Sequence, residues 1–133
     1  IRPEDVAALC RKHLSESVPR PDAIFSTNGP TGLGVLQALY ACGLSTPDDI
    51  GFATFDELTI DDLFKPAVTT VVQPAYDIGY RAAEILLERI EGRIAGDRSI
   101  MVRLPATLKI RESSCPRTIG SRRRMRAAQV KAF

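Results

Sequence analysis

The spacing of apolar residues along the chain predicts alternating helices and strands. Apolar side chains recur at intervals of three and four residues, as one face of a helix requires, in residues 2–16, 31–42 and 76–91. Short apolar or alternating runs, which are typical of strands, fall at residues 22–26, 50–55, 68–72, 100–104 and 107–111. The elements interleave, which predicts an α/β fold with helices flanking a layered, largely parallel sheet.

Prolines and glycines mark where the predicted helices begin and end. Pro3 stands in the first turn of the first helix, and Pro19 and Pro21 follow its end. Gly43 and Gly92 follow the second and third helices, at the position where a left-handed backbone suits glycine. The chain begins with Ile1 directly before the first helix, which indicates a fragment or a processed product.

The charge of the chain is divided unevenly between its body and its end. The whole chain of 133 residues has a formal net charge of +2. Residues 117–133 hold six of the 18 basic residues and no acid, so residues 1–116 have about twelve bases against 16 acids, a net charge near −4. We expect residues 1–116 to form the folded part, within one ordinary globular domain, and residues 117–133 to be a basic flexible tail. The run SRRRMR at 121–126 lacks interleaved aromatic residues and a helix-turn-helix pattern, which favours a solvated tail over a DNA-reading element.

The sequence does not support a membrane-spanning, secreted, disulfide-linked or metal-binding protein. No apolar run is long enough to span a membrane, and no basic region leads into an apolar signal core, so a cytoplasmic protein without a membrane partner is expected. The cysteines Cys10, Cys42 and Cys115 are odd in number and widely spaced. They predict neither a disulfide framework nor a metal site, and we interpret them as small buried thiols.

Catalysis is equally unsupported. The single histidine, His13, falls on the polar side of the first helix, away from any nucleophile or carboxylate pattern. The glycine-rich run 29–34 lacks the lysine of a phosphate-binding loop. We therefore expect no catalytic residues, no metal and no cofactor.

Polar residues follow the first two predicted strands, where open parallel sheets bind ligands. Asn28 precedes the second helix, so its side chain can donate to a ligand hydroxyl. The alternative is that Asn28 or Thr31 only caps that helix. Asp56 can accept hydrogen bonds from ligand hydroxyls or ring N–H groups, and Glu57 can share that role or face solvent. Local sequence alone favours the capping role for Asn28 and a simple acidic turn at Asp56.

Six segments together carry a family resemblance: PDAIFSTN (21–28), GLGVLQAL (32–39), GLSTPDDIGFATFDE (43–57), PAVTTVVQP (66–74), DIGYRAAEILLERIEG (77–92) and LPATLKIRES (104–113). With these segments in register, residues 20–114 resemble the LacI/GalR family of transcriptional repressors. The resemblance implies the C-terminal part of an effector-binding domain, a partial periplasmic-binding-protein-like type I fold, in which residues 75–103 cross to an N-terminal lobe.

The resemblance also implies roles for individual residues. Asn28 and Asp56 take effector-binding positions, Ala75 and Ile78 touch the apolar face of the effector, and Leu33 and Phe64 lie in a dimer interface. The chain departs from the family at Gly29-Pro30, where the family has aspartate after the asparagine, at Thr54, where glycine is usual, and at Ala75, which offers no ring to stack on a sugar.

The function implied is the sensing of a small effector, a sugar or sugar derivative, by a cytoplasmic homodimeric repressor. DNA would be bound only by a headpiece outside this chain. The alternative is a sugar-binding receptor of a transport system with the same fold. A further alternative, an enzyme on a similar α/β scaffold, would need a catalytic constellation outside this chain. A helix-turn-helix upstream would support the repressor, a secretory signal the receptor, and a catalytic motif the enzyme.

Overall fold

The computed structural model describes residues 2–16, 19–58, 64–95 and 99–115. The elements, in chain order, are α1 (Pro3–Glu16), β1 (Ala23–Ser26), α2 (Gly29–Ala41), β2 (Gly51–Phe55), β3 (Thr69–Val72), α3 (Ala75–Ile90), β4 (Thr107–Lys109) and a final 3₁₀ turn (Glu112–Ser114). The predicted basic tail, residues 117–133, lies outside the described residues.

The four strands form one sheet in the order β1-β2-β3-β4. β1 pairs with β2 and β2 with β3 in parallel, whereas β4 runs antiparallel to β3. The prediction of an α/β fold with a largely parallel sheet is confirmed. Gly43 and Gly92, at φ 65° and 72°, occupy the left-handed backbone predicted after the second and third helices.

The predicted strand at residues 100–104 is wrong. These residues join no strand ladder, and they are mostly exposed. Alternating side chains predict an extended backbone, but a strand also needs a neighbour to pair with. The free edge of β3 is taken by Thr107–Lys109, and no other strand of the described part of the chain lies beside residues 100–104.

The core lies between the sheet and the pair α1 and α2. It contains Leu14 from α1, Leu39 from α2, Phe52 from β2 and Val68, which precedes β3. The two helices approach closely at Gly34, where an added Cβ would lie 2.6 Å from the carbonyl oxygen of Pro3. The core therefore depends on a glycine at the crossing of the two helices.

The 3₁₀ turn at Glu112–Ser114 is hydrogen-bonded to the middle of the sheet. Ser113 is fully buried, and its Oγ donates to the Phe52 carbonyl (2.6 Å) and accepts from the Thr69 N–H (2.8 Å). Its neighbour Glu112 accepts from the N–H of Ala67 (2.6 Å) through its carboxylate. Residues 112–113 thereby hold β2, β3 and the segment before β3 together.

Helix α3 has no buried residue in the described structure. Its large apolar side chains are exposed, including Tyr76, Tyr80, Leu86, Leu87 and Ile90. The rings of Tyr76 and Tyr80 stack with centroids 6.3 Å apart. An amphipathic helix of this kind is stabilised by burial of its apolar face, which no described residue provides here. That residues 75–103 cross to another lobe stays a prediction.

The prediction that all three cysteines are buried is wrong. Cys42 and Cys115 are exposed, and only Cys10 is partly buried. Burial, together with the nearby Cys42 thiol, raises the pKa of Cys10 above its ordinary value, so its thiolate is disfavoured. Among the residues described, no helix has the length and apolar character that crossing a membrane would require.

Candidate functional site

Two polar residues leave neighbouring strands at the same edge of the sheet. Ser26, the last residue of β1, pairs with Thr54 of β2. Asn28 follows Ser26 by two residues, and Asp56 follows Thr54 by two residues. Because the strands are parallel, Asn28 and Asp56 emerge side by side at their carboxyl ends, as the sequence predicted.

Asn28 caps helix α2. Its Oδ1 accepts from the backbone N–H of Thr31 (2.9 Å) and from the Thr31 hydroxyl (2.9 Å). The same hydroxyl lies 3.2 Å from the N–H of Asn28, which completes a reciprocal capping box. The capping role left open by the sequence is present. No hydrogen bond within the described ranges uses the amide Nδ2, so this group can still donate to a ligand.

The next residue places this cap beside the loop that follows β2. A Cβ added to Gly29 would lie only 3.6 Å from the backbone oxygen of Glu57. The first turn of α2 therefore lies against the loop that carries Asp56.

Asp56 has a left-handed backbone, with φ 69°. Aspartate tolerates this conformation better than most side chains do. Its backbone N–H donates to the Val71 carbonyl of β3 (2.9 Å), and its Oδ1 accepts from Nε2 of Gln73 (2.6 Å). The turn is thus held from β3, and the carboxylate points toward the residues that follow β3.

A cleft of about 480 Å³ lies between the loop after β2 and the start of α3. Its lining residues are Asp56, Glu57, Val72, Gln73, Ala75 and Ile78. Three of the four predicted effector-binding residues are therefore brought together, and Asn28 is not among the lining residues. The cleft combines polar side chains on one wall with apolar side chains on the other, an arrangement suited to a small ligand that has hydroxyl groups and an apolar face.

The two acidic residues of the cleft are in different electrostatic surroundings. Oε1 of Glu57 accepts from Nζ of Lys109 (2.7 Å) and from a guanidinium nitrogen of Arg111 (3.2 Å). The hydrogen bond from Lys109 lowers the pKa of Glu57 below its ordinary value. Burial opposes this effect to a lesser degree, and the hydrogen bond from Arg111 adds a smaller lowering of its own. Asp56 is bonded by the neutral amide of Gln73. The negative charge at Glu57 is offset by two cations, which leaves Asp56 as the carboxylate suited to a ligand.

Gln73 and Val72 line the cleft, although the sequence analysis did not select them. In the sequence, Gln73 contributes only to the segment PAVTTVVQP (66–74) that carries the family resemblance. The signal that could have found it is its position, because a residue directly after a parallel strand lies at the same edge as Asn28 and Asp56.

The residues predicted for a dimer interface lie apart from the cleft lining. Leu33 is partly buried on α2, and Phe64 is partly buried against the core. Their role between two copies stays a prediction. No group of three or more His, Cys, Asp or Glu side chains arranged to hold a metal occurs in the described segments.

Comparison with known proteins places this arrangement among ligand-binding domains. The family model described as a periplasmic binding protein-like domain matches residues 2–114. The chain is 37% identical over 89 residues to the HTH-type transcriptional repressor PurR of Vibrio campbellii, covering 67% of this chain and 27% of that protein.

Solved structures show the same similarity. A LacI family transcriptional regulator of Enterococcus faecium with bound ribose aligns with a TM-score of 0.72 and 25% identity, over 87% of this chain and 41% of that one. A LacI family regulator of Arthrobacter in complex with lactose aligns with a TM-score of 0.74 and 27% identity, over 85% of this chain and 41% of that one. The chain thus spans well under half the length of each of these relatives.

Proposed function

The chain belongs to the periplasmic binding protein-like domain family, and from this membership we propose that it is the C-terminal, effector-sensing part of a LacI-type transcriptional repressor. The effector is a sugar or sugar derivative. The observation that carries the proposal is the cleft. Among the described residues the carboxylate of Asp56 is paired with the neutral amide of Gln73, and the apolar side chains of Ala75 and Ile78 line the same cleft.

Gln73 and the four residues predicted to bind effector each have a role in this proposal. Asp56 accepts hydrogen bonds from effector hydroxyls, and Gln73 holds its carboxylate in place while its own amide oxygen accepts another. Asn28 donates through its amide nitrogen from beside the loop. Ala75 and Ile78 contact the apolar face of the effector. None of these roles involves a bond made or broken in the ligand, so the chain acts as a sensor and not as an enzyme.

The effector acts by preferring one conformation of the whole protein. Asp56 follows β2, whereas Ala75 and Ile78 belong to α3, the helix whose apolar face the described residues leave uncovered. A ligand that contacts both elements favours the state in which they lie at the right separation. It shifts the population only by the difference in its affinity for the two states. In the full-length cytoplasmic homodimer, in which Leu33 and Phe64 contribute to the interface, this shift changes how two headpieces bind DNA.

Asp56→Asn tests the proposal better than Asp56→Ala. Asparagine removes the charge while tolerating the left-handed backbone at φ 69°, whereas alanine adds a backbone cost of about 1–2 kcal/mol. Asp48→Asn is the matched control, since Asp48 is an exposed aspartate in the loop before β2. Both variants are made in the full-length protein, with an operator selected from a random DNA library.

The measurement is the release of that operator on titration with ribose or lactose, sugars found in related structures. A hydrogen bond to a charged group contributes about 1.5–3 kcal/mol, so Asp56→Asn should raise the sugar concentration needed for release roughly 10- to 100-fold, with operator affinity unchanged. Asp48→Asn should respond as the wild type does. If Asp56→Asn released the operator at the same sugar concentration as the wild type, Asp56 would not be an effector-binding residue.

A further inference from the structure

The last residue pair of the β1–β2 ladder is joined by its side chains as well as its backbones. Ser26 and Thr54 are cross-strand partners, and the Ser26 Oγ donates to the Thr54 Oγ1 at 2.6 Å. Both residues are buried, with 5% and 0% of their surface exposed. A buried hydroxyl pair is stable only while both groups keep their partners, because an unpaired buried hydroxyl loses its hydration without replacement.

Helix α2 packs so closely on this hydroxyl pair that no side chain fits between them. A Cβ added to Gly32 would lie 2.9 Å from Oγ1 of Thr54 and 3.0 Å from Oγ of Ser26. The glycine lets the first turns of α2 rest directly on the two hydroxyls. The pair is therefore enclosed between the sheet and the helix that Asn28 caps.

The hydroxyl of Thr54 also lies against the backbone of both site loops. Its Oγ1 is 3.1 Å from the carbonyl oxygen of Phe55, which belongs to the peptide leading into Asp56, and 3.4 Å from the carbonyl oxygen of Asn28. One hydroxyl group thus accepts from β1 and has its proton directed at the two loops that follow β1 and β2.

We propose that Thr54 is a positioning residue for the cleft, whose buried hydroxyl fixes the separation of the loops carrying Asn28 and Asp56. This inference rests on the proposed function for its effect on effector binding, but not for its effect on the two loops. The two loops are expected to move as one unit in this protein.

Amide hydrogen exchange of the full-length protein without ligand tests the coupling of the loops. Thr54→Val removes the hydroxyl at nearly constant volume and leaves the Ser26 hydroxyl without its acceptor. Losing a net hydrogen bond should raise exchange in residues 27–29 and 55–57 together by roughly threefold to tenfold, with β3 unchanged. Thr54→Ser, which keeps the hydroxyl, should exchange as the wild type does.

Ser26→Ala provides a second route, since it removes the donor and leaves Thr54 intact. It should give a smaller paired increase, because Thr54 keeps its contacts with the carbonyls of Phe55 and Asn28, and it keeps the test decisive if Thr54→Val does not fold. A uniform increase across the sheet, an increase in only one loop, or a Thr54→Ser variant that behaves like Thr54→Val would overturn the proposal. The first and third results would show that packing around position 54, and not its hydroxyl, holds the loops, and the second would show that the two loops are not coupled.

Binding of ribose, measured by titration calorimetry on the same variants, separates this inference from the proposed function. If the wild type binds ribose, Thr54→Val should weaken binding by roughly threefold to tenfold and Thr54→Ser should restore it. Unchanged binding in Thr54→Val would contradict the positioning role. Absence of ribose binding in the wild type would count against ribose as the effector, while the exchange experiment would still decide the role of Thr54.

Discussion

Gln73 donates a hydrogen bond of 2.6 Å from its Nε2 to Oδ1 of Asp56, so the residues that follow two neighbouring parallel strands are joined across the cleft. Asp56 leaves β2 in a left-handed turn, and Gln73 is the first residue after β3. This contact fixes one carboxylate oxygen and leaves the other, with the amide oxygen of Gln73, as an adjacent pair of acceptors. Neighbouring hydroxyls on a sugar ring match such a pair.

Gln73→Met should weaken sugar binding without lowering operator affinity. Methionine is similar in length but lacks the amide, so Asp56 becomes free to rotate and one acceptor is lost. A bond to a charged group is worth about 1.5–3 kcal/mol, which gives roughly a 10- to 100-fold higher dissociation constant for ribose. Calorimetry on the full-length protein measures it, with the exposed α2 position Gln37→Met as the control. Equal affinity in wild type and Gln73→Met would show that Gln73 does not hold the site.

The periodic elements could be predicted because their signals are local. Helix α1 begins at Pro3, and α2 ends before Gly43, as the proline and glycine rules require. The strand predicted at residues 100–104 was wrong because alternating apolar and polar side chains indicate only an extended backbone. A strand also needs a partner strand, which the local sequence does not specify. The cleft followed in part from the rule that ligands bind after parallel strands, which selects Asp56.

Other features of the site depend on contacts between distant segments. The ion pairs of Glu57 with Lys109 and Arg111 join residues more than fifty positions apart in the chain, so no local sequence pattern predicts them. The Ser26–Thr54 pair depends on strand register, which was not predicted. Sequence reasoning therefore selected the edge of the sheet where the cleft lies, but it could not indicate which acid of the cleft is paired with cations.

Ser113→Ala should destabilise the fold through two lost hydrogen bonds. Its fully buried Oγ is shared by the Phe52 carbonyl and the Thr69 N–H, and alanine leaves both backbone groups buried without that partner. We expect the free energy of unfolding to fall by about 1–3 kcal/mol, measured by urea denaturation followed by circular dichroism. Ser15→Ala is the control, because Ser15 is exposed and its hydroxyl donates to the Lys12 carbonyl of its own helix. A loss no larger than that control's would contradict the role of Ser113.

Gly34→Ala should also destabilise the fold, by crowding the contact of α1 with α2. The added methyl carbon would lie 2.6 Å from the carbonyl oxygen of Pro3 and 2.7 Å from Cβ of Val6. Overpacking of this kind costs about 1–3 kcal/mol, which exceeds the gain of up to about 1 kcal/mol that alanine brings to a helix. Gln37→Ala on the exposed face of α2 should be nearly neutral in the same urea experiment. If Gly34→Ala were stabilising, α1 would not rest against α2 at this point.

The ion pair between Glu57 and Lys109 should make a pH-dependent contribution to stability. Because the hydrogen bond from Lys109 lowers the pKa of Glu57, the folded state holds this proton less tightly than the unfolded state does. The contribution is therefore fully present above the unfolded-state pKa, about 4.3 for glutamate, and is lost as pH falls through the lower folded-state pKa. The pair is partly exposed, so its contribution at neutral pH should be under about 1 kcal/mol.

A double-mutant cycle of Glu57→Gln and Lys109→Met isolates this contribution, since each single variant removes one partner. The coupling in the free energy of unfolding, from urea titrations between pH 7 and pH 3, should be constant down to about pH 5 and decline below it. It should also shrink in 1 M salt, where exposed charges are screened within about 3 Å. A coupling that persisted unchanged at pH 3 and in high salt would mean that Glu57 and Lys109 interact through packing, and that the charge of Glu57 is not neutralised by this lysine. The choice of Asp56 over Glu57 as the carboxylate that binds the effector would then lose its electrostatic basis, because Glu57 would be equally able to bind the ligand.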